Sequence, residues 1–89
     1  MKYIVSKGSM VGDRLGTIET DAGIEAAASE AARQFLRPRG YGPATIAQVH
    51  ASRVTGDPGL SGCFRVATPG PNRNAGETAL GQQFHVREA

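Results

Sequence analysis

The chain has 89 residues with ten basic and eight acidic side chains, which gives a net charge of +2, and 39% of its residues are hydrophobic. A chain of this size forms one small core, which excludes a two-lobed cofactor enzyme, and its composition is too apolar for a disordered protein. No apolar run approaches the roughly 18 residues of a membrane span, and the amino terminus has no signal-peptide hydrophobic region. We therefore expect one domain over residues 1–89, away from membranes. Because Cys63 is the single cysteine, we also expect no internal disulfide and a reducing cytoplasm.

The start of the chain has the pattern of a β-hairpin. Lys2–Ser6 is rich in β-branched and aromatic residues and predicts a strand. Gly8–Gly12 has the composition of a turn, and Leu15–Thr20 predicts a second short strand.

The next segment carries the clearest pattern, that of an amphipathic helix. Its hydrophobic residues recur at the helical period as one stripe: Ile24, Ala27, Ala28, Ala31, Ala32, Phe35 and Leu36. Asp21, or alternatively Thr20, is predicted to cap the helix, and Pro38 and Gly40 are predicted to end it. Because the stripe is mostly alanine, we expect the helix to lie close against its partner.

Three more strands are predicted in the rest of the chain. Residues 44–54, Cys63–Ala67 and Gln83–Arg87 each alternate between hydrophobic and polar side chains. The side chains predicted to face the core are Ala47, Val49, Ala51, Phe64, Val66, Phe84 and Val86. The stretch Thr68–Gly76, rich in proline, glycine and asparagine, predicts a long exposed loop.

This order of elements predicts an α+β fold, with an antiparallel sheet of about five strands and one helix packed on one face. One helix covers only one face of such a sheet, so we expect the other face to be polar and open to water. The residues predicted on the open face are Gln48, His50, Arg65, His85 and Arg87.

Catalytic and metal sites have little support in the sequence. Cys63 with His50 or His85 is a conceivable nucleophile–base pair, but its predicted strand position offers no helix terminus to lower the thiol pKa. The same three residues lack the local spacing of a metal site, and the glycines of residues 8–12 match no phosphate-binding loop. We therefore predict a protein that is not an enzyme and has no catalytic residue, metal or cofactor.

The distribution of charge points to two candidate binding surfaces. Eight of the ten basic residues are arginine, which forms forked hydrogen bonds with carboxylates and phosphates. One surface is the helix end, and the other is the open sheet face. The residues predicted to contact a partner are Arg33, Arg37, Arg39, Arg65 and Arg87. Because the open face lacks an aromatic pair for base stacking, base-specific readout is not expected, while weak phosphate contact stays open.

Lys2–Ser6, Gly16–Thr20 and the alanine-rich helix that follows, together with three later strands, resemble small phage-encoded anti-CRISPR proteins, in particular a type I-F inhibitor. The resemblance implies a non-enzymatic inhibitor in the host cytoplasm. Such proteins dock on the CRISPR RNA-bound subunits of the surveillance complex (Cascade) and prevent target DNA from pairing with the guide. This chain departs from the family in its longer Thr68–Gly76 loop and its arginine-rich helix end. The family's contact residues therefore do not transfer position by position.

Three other functions remain as alternatives. The first is a small basic accessory protein that contacts nucleic acid directly. The second is an enzyme built on Cys63 and a histidine, and the third is a subunit whose open face or sheet edge pairs with its own copy.

Overall fold

In the part of the chain that the structure describes, five strands and one helix follow one another in the order that the sequence predicts. The computed structural model describes residues 1–36, 46–69 and 78–89. The elements are β1 (Lys2–Lys7), β2 (Arg14–Glu19), α1 (Ile24–Phe35), β3 (His50–Thr55), β4 (Gly62–Pro69) and β5 (Thr78–Glu88). The strands form one sheet in the order β2-β1-β5-β4-β3, and every neighbouring pair is antiparallel. The predicted α+β fold is confirmed.

The core lies between α1 and one face of the sheet, which we call the inner face. Its buried strand side chains are Tyr3, Val5, Ile18, Phe64, Val66, Phe84 and Val86. Phe64 and Phe84 are opposite each other on β4 and β5, and their ring centroids are 6.0 Å apart. The predicted inward residues of these two strands are therefore confirmed.

The alanine stripe of α1 brings the helix close to the sheet, as predicted. Ile24 and the four alanines of the stripe are buried, while Phe35 and Leu36 pack partly buried against the core. At the end of α1 the Phe35 ring lies over Gly16 of β2, where a Cβ atom would come 2.5 Å from the ring Cζ. A side chain at position 16 would therefore have to displace the Phe35 ring. Within the described ranges, no helix has the length and hydrophobicity to cross a bilayer.

The predicted helix cap is wrong. The residue at the N-cap is Gly23, with φ of 102° and no side-chain cap. Asp21 instead pairs with the amino-terminal ammonium at 3.1 Å, and the Thr20 hydroxyl accepts a hydrogen bond from the Ala22 amide at 3.1 Å. Gly23 adopts a backbone conformation that disfavours other residues, and this places the helix start beyond both predicted caps. The predicted stop residues Pro38 and Gly40 lie outside the described residues.

Strand β3 begins later than the sequence predicts. Residues 44 and 45 lie outside the described residues, and residues 46–49 form a turn closed by the Val49 amide on the Ile46 carbonyl, at 3.0 Å. Ile46 and Val49 are both buried. Their separation of three residues is that of a helical turn, so the predicted alternation is wrong before His50.

Strands β4 and β5 pair over a longer stretch than the alternation indicates. Beyond a β-bulge at Arg65–Ala67, pairing continues until Pro69 lies opposite Thr78. Thr68 and Pro69, predicted as loop, are therefore part of β4. The rest of the predicted loop, residues 70–76, lies outside the described residues. Backbone pairing extends the strands here in spite of a composition that is unfavourable for strands.

Candidate functional surface

The sheet face opposite α1, which we call the outer face, is the candidate binding surface. Strand register and alternation place on it the side chains of Lys2, Ile4, Ser6, Thr17, Glu19, His50, Ser52, Cys63, Arg65, Gln83, His85 and Arg87. These side chains are mostly polar. The outer face therefore differs from the inner face in chemistry, as the sequence predicts.

Arg65 and Arg87 are the two predicted contact residues that lie on the outer face. Arg65 is exposed on β4 and lies opposite Gln83, whereas Arg87 is half-buried on β5 and lies opposite Ile4. Gln83 and Arg87 are four positions apart on β5, which corresponds to about 13 Å along the strand. In the described part of the chain, neither arginine forms an ion pair. The Arg65 side chain is therefore exposed, whereas that of Arg87 is partly covered.

The centre of the outer face is less open than predicted. His85 is 8% exposed and Ser6, directly opposite it on β1, is 4% exposed. The Gly8 carbonyl accepts hydrogen bonds from Gln83 Nε2 at 3.2 Å and from Cys63 Sγ at 3.9 Å. The turn after β1 thus folds over this face. The expectation that His85 is open to water is wrong.

Cys63 and His85 are cross-strand neighbours on β4 and β5, and no hydrogen bond joins their side chains among the described residues. The Cys63 thiol donates to the Gly8 carbonyl, and His85 Nδ1 is buried without a hydrogen-bond partner among the described residues. Burial lowers the pKa of His85, and the nearby charge of Arg87 lowers it further, so the imidazole is neutral at pH 7.

The other histidine lies away from this pair. His50 is opposite Ala67, which is four positions along β4 from Cys63. Within residues 1–36, 46–69 and 78–89, no three histidine, cysteine, aspartate or glutamate side chains come together as metal ligands. Gln48, predicted on the open face, is exposed in the turn before β3 rather than on the sheet.

Arg33 lies on the helix side of the molecule and is bonded within the fold. Its Nη1 donates to the Val49 carbonyl at 2.7 Å, and its Nη2 lies 3.1 Å from the Glu30 carboxylate. Hydrogen bonds from Gln34 and from Arg33 lower the pKa of Glu30, so the carboxylate stays charged near neutral pH. Arg33 therefore connects α1 to the start of β3. The other predicted residues of this surface, Arg37 and Arg39, lie outside the described residues.

A second bonded arginine, Arg53, was not singled out by the sequence analysis. Its Nη2 lies 2.7 Å from Glu25 of α1 and 2.8 Å from the Leu60 carbonyl, and its guanidinium lies 4.6 Å from the centroid of the Phe64 ring. Glu25 also accepts the Gly59 amide at 2.9 Å, and this bond, followed by Arg53, lowers the pKa of Glu25. We call Glu25, Arg53 and Phe64 the Arg53 cluster.

A signal for the Arg53 cluster was present in the sequence. The predicted inward series Val49 and Ala51 continues to Arg53 at the strand period of two. Register confirms this position, because Arg53 lies opposite the inward Phe64. Alternation alone is therefore enough to predict that Arg53 faces the helix side of the sheet.

Comparison with known proteins does not assign the chain to a family. No family model matches the chain, and no curated protein matches it either. The resemblance to anti-CRISPR proteins therefore remains an interpretation of the sequence.

Proposed function

We propose that the protein acts by stoichiometric binding rather than catalysis, and that its outer face docks on a partner. The contrast between its arginines carries this proposal. Arg33 and Arg53 on the helix side are each bonded to a glutamate, whereas Arg65 and Arg87 have no acidic partner in the described part of the chain. Guanidinium groups that have no acidic partner among the described residues suit forked bonds to a carboxylate or phosphate of another molecule.

The partner that we propose is a type I CRISPR surveillance complex, with the protein acting as a phage inhibitor in the host cytoplasm. The order of strands and helix agrees with the arrangement on which the resemblance to anti-CRISPR proteins is based. A complex that contains RNA and binds DNA presents phosphates and acidic surfaces to which the basic outer face is complementary. Docking there would block the path of the target DNA.

The test of this version is target-DNA binding by purified type I surveillance complex, with and without the protein. We expect DNA binding to fall as the protein approaches a one-to-one ratio, together with co-elution of the two. Arg65→Glu is expected to restore DNA binding. Lys7→Glu, which reverses an exposed charge at the end of β1 opposite inward Phe84, serves as the matched control. If the unaltered protein does not co-elute with the complex and does not reduce its DNA binding, this version is ruled out.

Direct binding of nucleic acid is the second candidate, because the outer face carries Lys2, Arg65 and Arg87 against the single acidic residue Glu19 in the described ranges. Two phosphate contacts by the two arginines predict that the logarithm of the binding constant falls with the logarithm of salt concentration at a slope of about −2. The measurement is a gel-shift titration of the isolated protein at several salt concentrations. A flat titration at low salt eliminates this candidate.

A further inference from the structure

His85 is a titratable side chain that is buried at the centre of the outer face. It is 8% exposed, and its Nδ1 has no hydrogen-bond partner among the described residues. Ser6, which is 4% exposed, lies opposite it on β1, and Cys63 lies opposite it on β4. An imidazolium has two N–H donors and a positive charge, which need acceptors or water. Protonation of His85 is therefore costly as long as this part of the outer face stays closed.

The charges around His85 also oppose its protonation. On the same face of β5, Arg87 lies two positions away, and Arg65 is the diagonal neighbour on β4, at about 7–8 Å between backbone positions. The β1 side chains next to it are uncharged, and Arg14 of β2 lies one strand beyond them. The turn after β1 carries one acid, Asp13, whose side chain is exposed. Burial, and then the charge of Arg87, lower the pKa of His85.

Residues 8–13, which we call the β1–β2 turn, are fastened to this centre by bonds on two sides of the imidazole. The Gly8 carbonyl accepts hydrogen bonds from Gln83 Nε2 at 3.2 Å and from Cys63 Sγ at 3.9 Å. The Gly8 amide donates to the Gln83 carbonyl at 3.0 Å. Gln83 lies two positions before His85 on β5, and Cys63 lies opposite it on β4. The turn is therefore held directly beside the buried ring.

The β1–β2 turn is the part of these surroundings that opens most easily. Its two apolar side chains, Met10 and Val11, are 60% and 89% exposed, so the turn adds no apolar side chain to the core. The strands on either side of His85, in contrast, carry the fully buried Val5 and Phe64 on their other face. Opening the turn breaks a few hydrogen bonds, whereas separating the strands exposes the core. Water therefore reaches the imidazole at the lowest cost through the turn.

We propose that the β1–β2 turn is a pH-dependent lid that regulates binding at the outer face. Protonation of His85 opens the lid, and the imidazolium then forms one basic strip with Arg65 and Arg87 for a phosphate group of the partner. Register places His85 between the two arginine positions. The inference rests on the proposed docking function and adds its regulation. Because a bound phosphate stabilises the imidazolium, binding takes up a proton, and the affinity rises as the pH falls.

The first test follows the lid by NMR of the full chain from pH 7.5 to 5.5, without a partner. We expect the Gly8 amide resonance to shift with the same midpoint as the His85 imidazole. Hydrogen exchange of the Gly8 amide, corrected for the intrinsic effect of pH, should become about five- to tenfold faster. The Val86 amide, in the central strand of the sheet, is the reference and should not change.

The second test measures the affinity for a short oligothymidylate by fluorescence anisotropy at the same two pH values and constant ionic strength. The phosphodiesters and thymine bases of this probe keep their charge over this range. We expect binding to be about three- to tenfold tighter at pH 5.5 than at pH 7.5. His85→Asn should remove this increase. His50→Asn, which removes the exposed histidine of β3 on the same face, is the matched control and should keep most of it.

Three outcomes overturn the proposal. They are a Gly8 resonance that does not follow the His85 midpoint, an affinity that is equal at the two pH values or absent at both, and an equal loss of pH dependence in the two histidine variants. If His85→Asn does not fold, the NMR titration of the unaltered chain decides the question. The titration needs no partner, so failure of the lid is distinguishable from failure of docking. If the surveillance-complex assay fails while Gly8 and the affinity respond to His85, only that version of the docking function is wrong.

Discussion

The two faces of the sheet use arginine in different ways. On the inner face, Arg53 is 14% exposed in its side chain, lies over an aromatic ring and is bonded to a glutamate of the helix. On the outer face, Arg65 is exposed and has no ion pair within the described residues. The same residue type is therefore bonded within the fold on one face, and on the other it is exposed without an ion pair among the described residues.

This difference shows that the position of an arginine in the sheet, rather than local charge density, indicates its role. Arg33 belongs to the arginine-rich helix end that was predicted as a binding surface, yet it is bonded to the fold. Substitutions on the inner face should therefore change stability, and those on the outer face should change binding.

The largest expected effect comes from the core under the helix. Phe84→Ala removes a fully buried ring that packs against Phe64, and it should lower the free energy of unfolding by about 3–5 kcal/mol. The matched control is Ser52→Ala on the exposed outer face, for which we expect a change within about 0.5 kcal/mol. Urea denaturation followed by circular dichroism measures both. Similar losses for the two variants would contradict the distinction between the faces.

A smaller effect is expected from the Arg53 cluster. Arg53→Met keeps an apolar stem over Phe64 but removes the bonds to Glu25 and to the Leu60 carbonyl. Because Glu25 is half exposed, we expect a loss of only about 1–2 kcal/mol. The same change at Arg65 should alter the unfolding free energy by no more than about 0.5 kcal/mol. A loss at Arg65 that equals the loss at Arg53 would assign it a structural role instead.

The smallest effect on stability is expected from protonation of the buried His85 imidazole on β5. The pKa of His85 in the folded protein lies below its ordinary value of 6.5, so the unfolded chain binds the proton more tightly. The resulting stability is present above pH 6.5 and is lost as the pH falls through the folded pKa. Urea midpoints measured from pH 7.5 downward should therefore decrease, and His85→Asn should flatten the upper part of this decrease.

A second, lower pH window tests whether the decrease belongs to His85. The carboxyls of Glu25 and Glu30 have pKa values below 4.5, so the stability that they contribute is lost as the pH falls below that value. His85→Asn should leave this lower part unchanged. A midpoint that is constant between pH 7.5 and 5 in the unaltered protein would contradict the assignment.

Periodicity made much of the fold predictable. The stripe of α1 and the inward pairs on β4 and β5 were predicted because burial on one face repeats every 3.6 or two residues in the sequence itself. The helix start was predicted wrongly because it depends on the positive φ of Gly23, and side-chain types alone do not reveal that angle. The extent of β4 and β5 depends on their mutual pairing, which local composition does not encode.

The outer face was less predictable because distant segments determine its exposure. His85 alternates outward as expected, but the turn at Gly8 folds over its surroundings through hydrogen bonds from residues 55 and 75 positions away in the chain. No local pattern contains such a contact. The inward position of Arg53, in contrast, follows from the alternation of Val49, Ala51 and Arg53. It was not predicted because a charged residue is rarely buried.

The hydrogen bonds that α1 makes with the β3 edge have a consequence for self-assembly. Fibrillar stacking requires two free edges on each subunit, so that every added copy offers a new site for the next. At the start of one of these edges, the Ala51 amide donates to the Ser29 hydroxyl and the Val49 carbonyl accepts a hydrogen bond from Arg33. A copy that paired with the start of β3 would have to displace these two helix side chains, which disfavours growth from that edge.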